Sequence, residues 1–135
     1  MKTAKKVLTY WLPVFLWMAL IYFLSSFHKL QASEISWQDF IIRKTAHFLE
    51  YGILYVLFNR ALTNTGNLVF KKRIITVLVL CLVYAFSDEF HQTFVSGRSG
   101  RMIDFLIDSL GAGAGLLFVV KFIYKLPKKV QQLVV

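Results

Sequence analysis

Four apolar runs, each close to the length of a bilayer crossing, divide this chain. They are "VLTYWLPVFLWMALIYFLSSF" at residues 7–27, "TAHFLEYGILYVLFNRAL" at 45–62, "IITVLVLCLVYAFSDEFHQTF" at 74–94 and "MIDFLIDSLGAGAGLLFVVKFIY" at 102–124. An α-helix needs ~20 predominantly apolar residues to cross the hydrocarbon core. Lipid offers no partner for a free backbone N–H or C=O, so runs of this kind are expected to be helical. With 57% hydrophobic residues in 135, the chain carries more apolar side chain than a water-soluble domain of that size hides. The sequence therefore predicts an all-α fold, an integral membrane four-helix bundle, as a single domain over residues 1–135.

Charge sets the expected orientation. The net charge is +9, but the basic residues flank the apolar runs instead of forming a stripe, which argues against nucleic acid as a partner. Lys2, Lys5, Lys6, Arg60, Lys71, Lys72, Arg73, Lys121, Lys125, Lys128 and Lys129 fall on one side of a four-span layout. Lys29, Arg43, Lys44, Arg98 and Arg101 fall on the other. Eleven against five predicts a multi-pass protein with both termini in the cytoplasm. The first run is longer than the ~7–15 apolar residues of a signal core and lacks a small-x-small cleavage site, so it reads as an uncleaved span. Pro13 near its start is expected to bend it. In the first outer loop, residues 28–44, Ile35, Trp37, Phe40 and Ile41 suggest a short interfacial helix with Glu34 and Asp39 facing water. The lone Cys81, deep in the third run, reads as a small apolar packing residue.

Against this apolar background the acidic residues stand out. Five of the seven, Glu50, Asp88, Glu89, Asp104 and Asp108, lie inside predicted spans. Each costs up to about 2.5–3.5 kcal/mol at a span's centre, which suggests that the groups are used. Glu50 lies seven residues past Arg43 and Asp108 seven past Arg101, so both sit about 10 Å below the outer loops at the helical rise. Asp88, nine residues before Gly97, sits about 13 Å deep. His47, His91, Gln92 and Asp104 fall between. Lys44, His47 and Tyr51 share a helical stripe with Glu50 beside it, and Asp88 shares one with Gln92. Asp104, Asp108, Gly111 and Gly115 form a third, whose small residues admit another helix closely. Three spans are thus expected to place their polar groups in one layer of the outer half. The inner halves read as apolar, so a site opening outward is favoured over a proton or ion path.

Weaker readings compete. The carboxylates also suit structural ion pairs. His47 with Glu50, and His91 with Asp88, have partial ligand spacing for a divalent metal, but no second matching motif supports one. No cofactor is expected. Ser87, Ser96, Ser99 and Ser109 lack a nucleophile-elbow motif. "GAGAG" lies inside a span and reads as packing. "SGRSGR" places Arg98 and Arg101 where they can grip an anionic group.

"RKTAHFLEYGILYVLFNRAL" resembles the Lys-x-x-His-x-x-x-Tyr segment of VanZ-like membrane proteins. "SDEFHQTFVSGRSGRMIDFLIDSLGAGAG" resembles that family's Asp-Glu-x-x-Gln, Arg, Asp-x-x-x-Asp/Asn-x-x-Gly pattern. Asp108 stands where the family often shows Asn. The resemblance carries over to Lys44, His47, Glu50, Tyr51, Asp88, Glu89, Gln92, Arg98, Arg101, Asp104, Asp108 and Gly111. It implies a protein of the bacterial cytoplasmic membrane, linked to tolerance of lipoglycopeptides such as teicoplanin. The expected function is a polar pocket that binds or modifies an outer-leaflet amphiphile: a lipid headgroup, a lipid-linked cell-wall precursor or a lipoglycopeptide. His47, Glu50, Asp88, Glu89 and Asp104 are the acid–base candidates for a hydrolase or transferase step. Lys44, Tyr51, His91, Gln92, Arg98, Arg101 and Asp108 are the candidates for holding the ligand. The alternative is a non-enzymatic accessory protein whose buried charges stabilise the bundle or a partner contact.

Overall fold

The computed structural model describes residues 3–26, 36–95, 102–128 and 131. Among these, four α-helices appear and no strand: α1 Thr3–Ser26, α2 Ser36–Thr65, α3 Phe70–Gln92 and α4 Met102–Lys121. A single 3₁₀ turn, Ile123–Lys125, follows α4. α1, α3 and α4 are long and apolar enough to cross a membrane. α2 is the longest, at 30 residues, but carries Asp39, Arg43, Lys44, Glu50 and Arg60 along its length. Of the expected interfacial segment, residues 36–44 form the first turns of α2, and the rest lie outside the described residues. Asp39, expected to face water, is instead buried, and it explains part of this extension. A carboxylate in the first turn suits the positive end of a helix, and it pairs with Arg43 one turn on at 2.9 Å.

The burial pattern is the reverse of a water-soluble protein's outside and normal inside. Phe15, Leu16, Phe23, Ile53, Val79, Val83, Phe86, Leu106 and Leu110 are exposed on the outer faces of the helices. Apolar surface on this scale requires hydrocarbon around it. Within the bundle, Val14, Ile21, Tyr51, Leu54, Tyr55, Phe58, Val77, Cys81, Ala85, Ala112 and Val119 make one continuous core. Cys81 is a buried packing residue there.

Cross-helix contacts define the topology. Trp17 Nε1 donates to the Glu50 carbonyl, and Trp11 Nε1 to Thr65 Oγ1, so α1 and α2 run antiparallel. The Tyr84 hydroxyl donates to the Met18 carbonyl and Ser25 Oγ to Asp88, so α1 and α3 run parallel. The link from α2 to α3 is short, and Gly66 closes the end of α2 by donating its N–H to Leu62 O at 3.0 Å. α2 touches all three other helices and is the spine of the bundle.

The tightest seam joins α2 to α4, which run parallel. A Cβ on Gly111 would collide with the Phe48 carbonyl oxygen, and one on Gly115 would stand 2.6 Å from Gly52 O and 2.8 Å from Tyr55 Cβ. Gly52 in turn faces the Gly111 carbonyl, where a Cβ would sit at 3.3 Å. Small residues four apart therefore let the two backbones touch, as in other close membrane helix pairs. By contrast, nothing lies within 4 Å of a Cβ on Gly113.

That difference predicts opposite outcomes for alanine substitutions at two glycines two residues apart. Gly111→Ala forces α4 off α2 and is expected to cost about 1–3 kcal/mol. Gly113→Ala meets no neighbour and is expected to be neutral or stabilising by up to about 1 kcal/mol through helix propensity. Unfolding in detergent, followed by helical circular dichroism, separates them.

Candidate functional site

The α2–α4 seam carries the polar residues with it. One turn above the glycine contact, His47 Nδ1 lies 3.2 Å from Asp108 Oδ1. One turn above that, Lys44 Nζ pairs with Asp104 Oδ1. The partners are sixty-one and sixty positions apart along the chain, so the two rungs keep one register. The register is the one that parallel backbones in contact at Gly111 and Phe48 impose.

α3 supplies the third wall. Asp88 Oδ2 accepts from Ser25 Oγ at 2.8 Å and from Gln92 Nε2 at 3.0 Å. Gln92 is the residue one turn on from Asp88, the spacing at which helical side chains meet. Glu89 is buried beside it. Asp88 and Glu50 both lie within electrostatic range of His47 and of Tyr51. The structure thus brings His47, Glu50, Tyr51, Asp88, Asp104 and Asp108 together from three helices. His91 stands at the edge. Its ring stacks on Tyr22 of α1 at 4.4 Å, and its Nδ1 has no hydrogen-bond partner among the described residues. Arg98 and Arg101 lie outside the described residues.

Burial is graded along the layer. Lys44 and Asp104 side chains are 20% and 17% exposed, whereas Asp108 is fully buried. At the buried end, Asp108 Oδ2, Asp88 Oδ1 and the Tyr51 hydroxyl have no hydrogen-bond partner among the described residues. Two carboxylate acceptors and one hydroxyl left open in a buried layer are costly, and their natural complement is a donor-bearing polar group. The His47–Asp108 contact has chemical meaning as well. With Asp108 ionised, Nδ1–H donates to it, so the carboxylate orients the ring, keeps the proton on Nδ1 and leaves Nε2 as the acceptor. Among the described residues, no three His, Cys, Asp or Glu side chains are grouped closely enough to hold a metal ion.

Two contributors escape a reading of the sequence. Ser25 brings α1 into the site, although that span has no acidic residue. Tyr84 packs near Tyr51, with ring centroids 6.2 Å apart, and lies within electrostatic range of the same carboxylates. Its place one turn before Asp88 was the available signal. A cavity of about 320 Å³ lies next to the layer, between α2 and α4. Its walls, including Phe48, Leu49, Gly52, Ile53, Ala114 and Phe118, are apolar. Phe48 is one helical turn past Lys44, so this groove begins where the Lys44–Asp104 pair ends.

The family model described as VanZ/LLP1 matches residues 6–124. Comparison with curated proteins and with solved structures returns no match.

Burial predicts how strongly each pair is coupled. In a double-mutant cycle, His47→Ala with Asp108→Ala is expected to show about 1–3 kcal/mol of non-additivity, because both groups sit in low dielectric. The Asp39–Arg43 pair, whose Asp39 is buried but whose Arg43 is 43% exposed and adjacent by one helical turn, is expected to show less, about 0.5 kcal/mol. Denaturation in detergent measures both.

Proposed function

Because this chain belongs to the VanZ/LLP1 family, whose model covers residues 6–124, we propose that its graded polar layer binds an amphiphile of the outer leaflet. The protein is a membrane protein of that family. The observation that carries the proposal is the set of buried atoms on Asp108, Asp88 and Tyr51 that have no hydrogen-bond partner among the described residues, below the half-buried Lys44–Asp104 pair. A lipid headgroup, a lipid-linked cell-wall precursor or a lipoglycopeptide brings hydroxyl, amide or amine donors for those acceptors. The apolar groove between α2 and α4 supports the reading, since it offers an acyl chain a path beginning one turn below Lys44.

In this reading Lys44, with Arg98 and Arg101, holds anionic parts of the ligand. Gln92, His91, Tyr51 and Asp108 hold its polar groups. If a bond is broken, His47 oriented by Asp108 is the proton acceptor, and Glu50, Asp88, Glu89 and Asp104 supply the remaining acid–base groups. Both termini lie in the cytoplasm of a bacterial cell, so the layer faces the cell envelope. There it contributes to tolerance of teicoplanin-type drugs.

Amide substitutions that keep shape test the proposal against a purely structural role. Glu50→Gln, Asp88→Asn and Asp104→Asn are each expected to lower drug tolerance to the level of cells lacking the protein. Membrane abundance is expected to stay unchanged by immunoblot. Extracted lipids and precursors from cells with and without the protein identify the ligand class. Loss of abundance in step with loss of tolerance would instead assign these carboxylates to holding the bundle together.

A further inference from the structure

A second polar constellation sits at the opposite end of the bundle. Asn59, on α2, is fully buried, and its Oδ1 accepts from Arg73 Nε of α3 at 3.2 Å. Arg60 holds its guanidinium over the Tyr10 ring of α1 at 5.0 Å, and Arg73 holds its own over Phe70 at 5.3 Å. Asn59 lies twelve residues past His47, which places this layer about 18 Å along the helix axis from the acidic one.

We infer that Arg60, Arg73 and Asn59 form a second binding site, which takes the phosphoryl group of a phospholipid headgroup in the leaflet at that end. The chemistry of the layer is one-sided. Asn59 Oδ1 is used by Arg73, which leaves its amide as a donor, and Asn59 Nδ2 has no partner among the described residues. Arg60 Nε is likewise buried without one. Arg60 and Arg73 make no ion pair among the described residues, and no acidic residue occurs anywhere between Tyr51 and Ser87. A layer of fixed donors with two positive charges and no carboxylate is complementary to an acceptor-only anion. Guanidinium matches a phosphate in shape as well as charge. Both arginines are half-buried, at the end of helices whose outer faces meet acyl chains, so a lipid-borne phosphate meets their exposed edges first and reaches the buried Arg60 Nε and Asn59 Nδ2 by moving in between α2 and α3. Tyr10 and Asn59 act as positioning residues that hold the two guanidinium groups in place before the anion arrives.

The full chain in a phosphate-free maltoside detergent, titrated with dioctanoyl phosphatidylglycerol and read by native mass spectrometry, tests this. Saturable retention of the phospholipid is expected, with none for dioctanoylglycerol, which lacks the phosphoryl group. Arg60→Gln or Arg73→Gln is expected to weaken retention about tenfold, the loss of one charge-assisted contact. Lys71→Gln with Lys72→Gln, on the exposed side of α3, is expected to change it far less. Arg60→Lys and Arg73→Lys keep the charge and are expected to fall in between, which guards against a glutamine variant that fails to fold. Equal retention of dioctanoylglycerol, or equal losses from the lysine and arginine variants, overturns the site. Inorganic phosphate bound as tightly as the phospholipid overturns the headgroup assignment in favour of a soluble anion.

Discussion

The contact between the backbones of α2 and α4 is the constraint on which the rest depends. Apolar side chains gain little by leaving lipid for protein, so a membrane bundle is held by close packing and internal hydrogen bonds. Gly111 and Gly115 allow that packing because no Cβ stands between them and the Phe48 and Gly52 carbonyls. Once the backbones touch there, side chains one and two turns away have no freedom of partner. His47 meets Asp108, and Lys44 meets Asp104. A bulkier residue at 111 would widen the seam and weaken both rungs together. Packing residues and polar residues on α4 therefore belong to one device, spaced three or four apart along a single stripe.

The polar layer is not explained by stability alone. Buried ion pairs are weak stabilisers, since desolvation offsets much of their attraction, and apolar residues of similar size usually serve a fold as well. Among the described residues, Asp108 Oδ2, Asp88 Oδ1 and the Tyr51 hydroxyl are also left unmatched, which a structural network built from those residues alone would avoid. These features fit the proposed binding layer: groups fixed in place by Ser25, Gln92 and His47, with valences open among the described residues. The segregation of charge along the bundle is part of the same design. Among the described residues, the carboxylate side chains lie toward one end, and the other end carries only cations, Arg60 and Arg73 among them, with an apolar core between that includes Leu54, Tyr55, Phe58, Val77 and Cys81.

Much of this was legible in the chain itself. Helical spacing put Lys44, His47 and Tyr51 on one stripe and Asp104, Asp108 and Gly111 on another, and the structure brings those stripes face to face. Other features were not legible. Residues 36–44 have the mixed character of an interfacial segment, yet they continue α2, because an amphipathic turn is read the same way whether or not it joins the next helix. Arg60 looked like a loop-flanking cation, but α2 runs on to Thr65 and carries it inside the bundle's end. The inner halves of the spans looked apolar, and Asn59 showed otherwise only through its contact with Arg73. Ser25 gave no sign of its role, because a serine in an apolar span usually bonds to its own helix.

What the sequence determined by itself was the solvent, the secondary structure and the angular position of each polar residue. Those follow from the length of the apolar runs and from 3.6 residues per turn, both local properties. What only the tertiary structure decided was which stripes face each other and at what height. That choice depends on how closely two backbones approach, here set at Gly111 and Gly115, and no spacing within one helix records the surface of its neighbour.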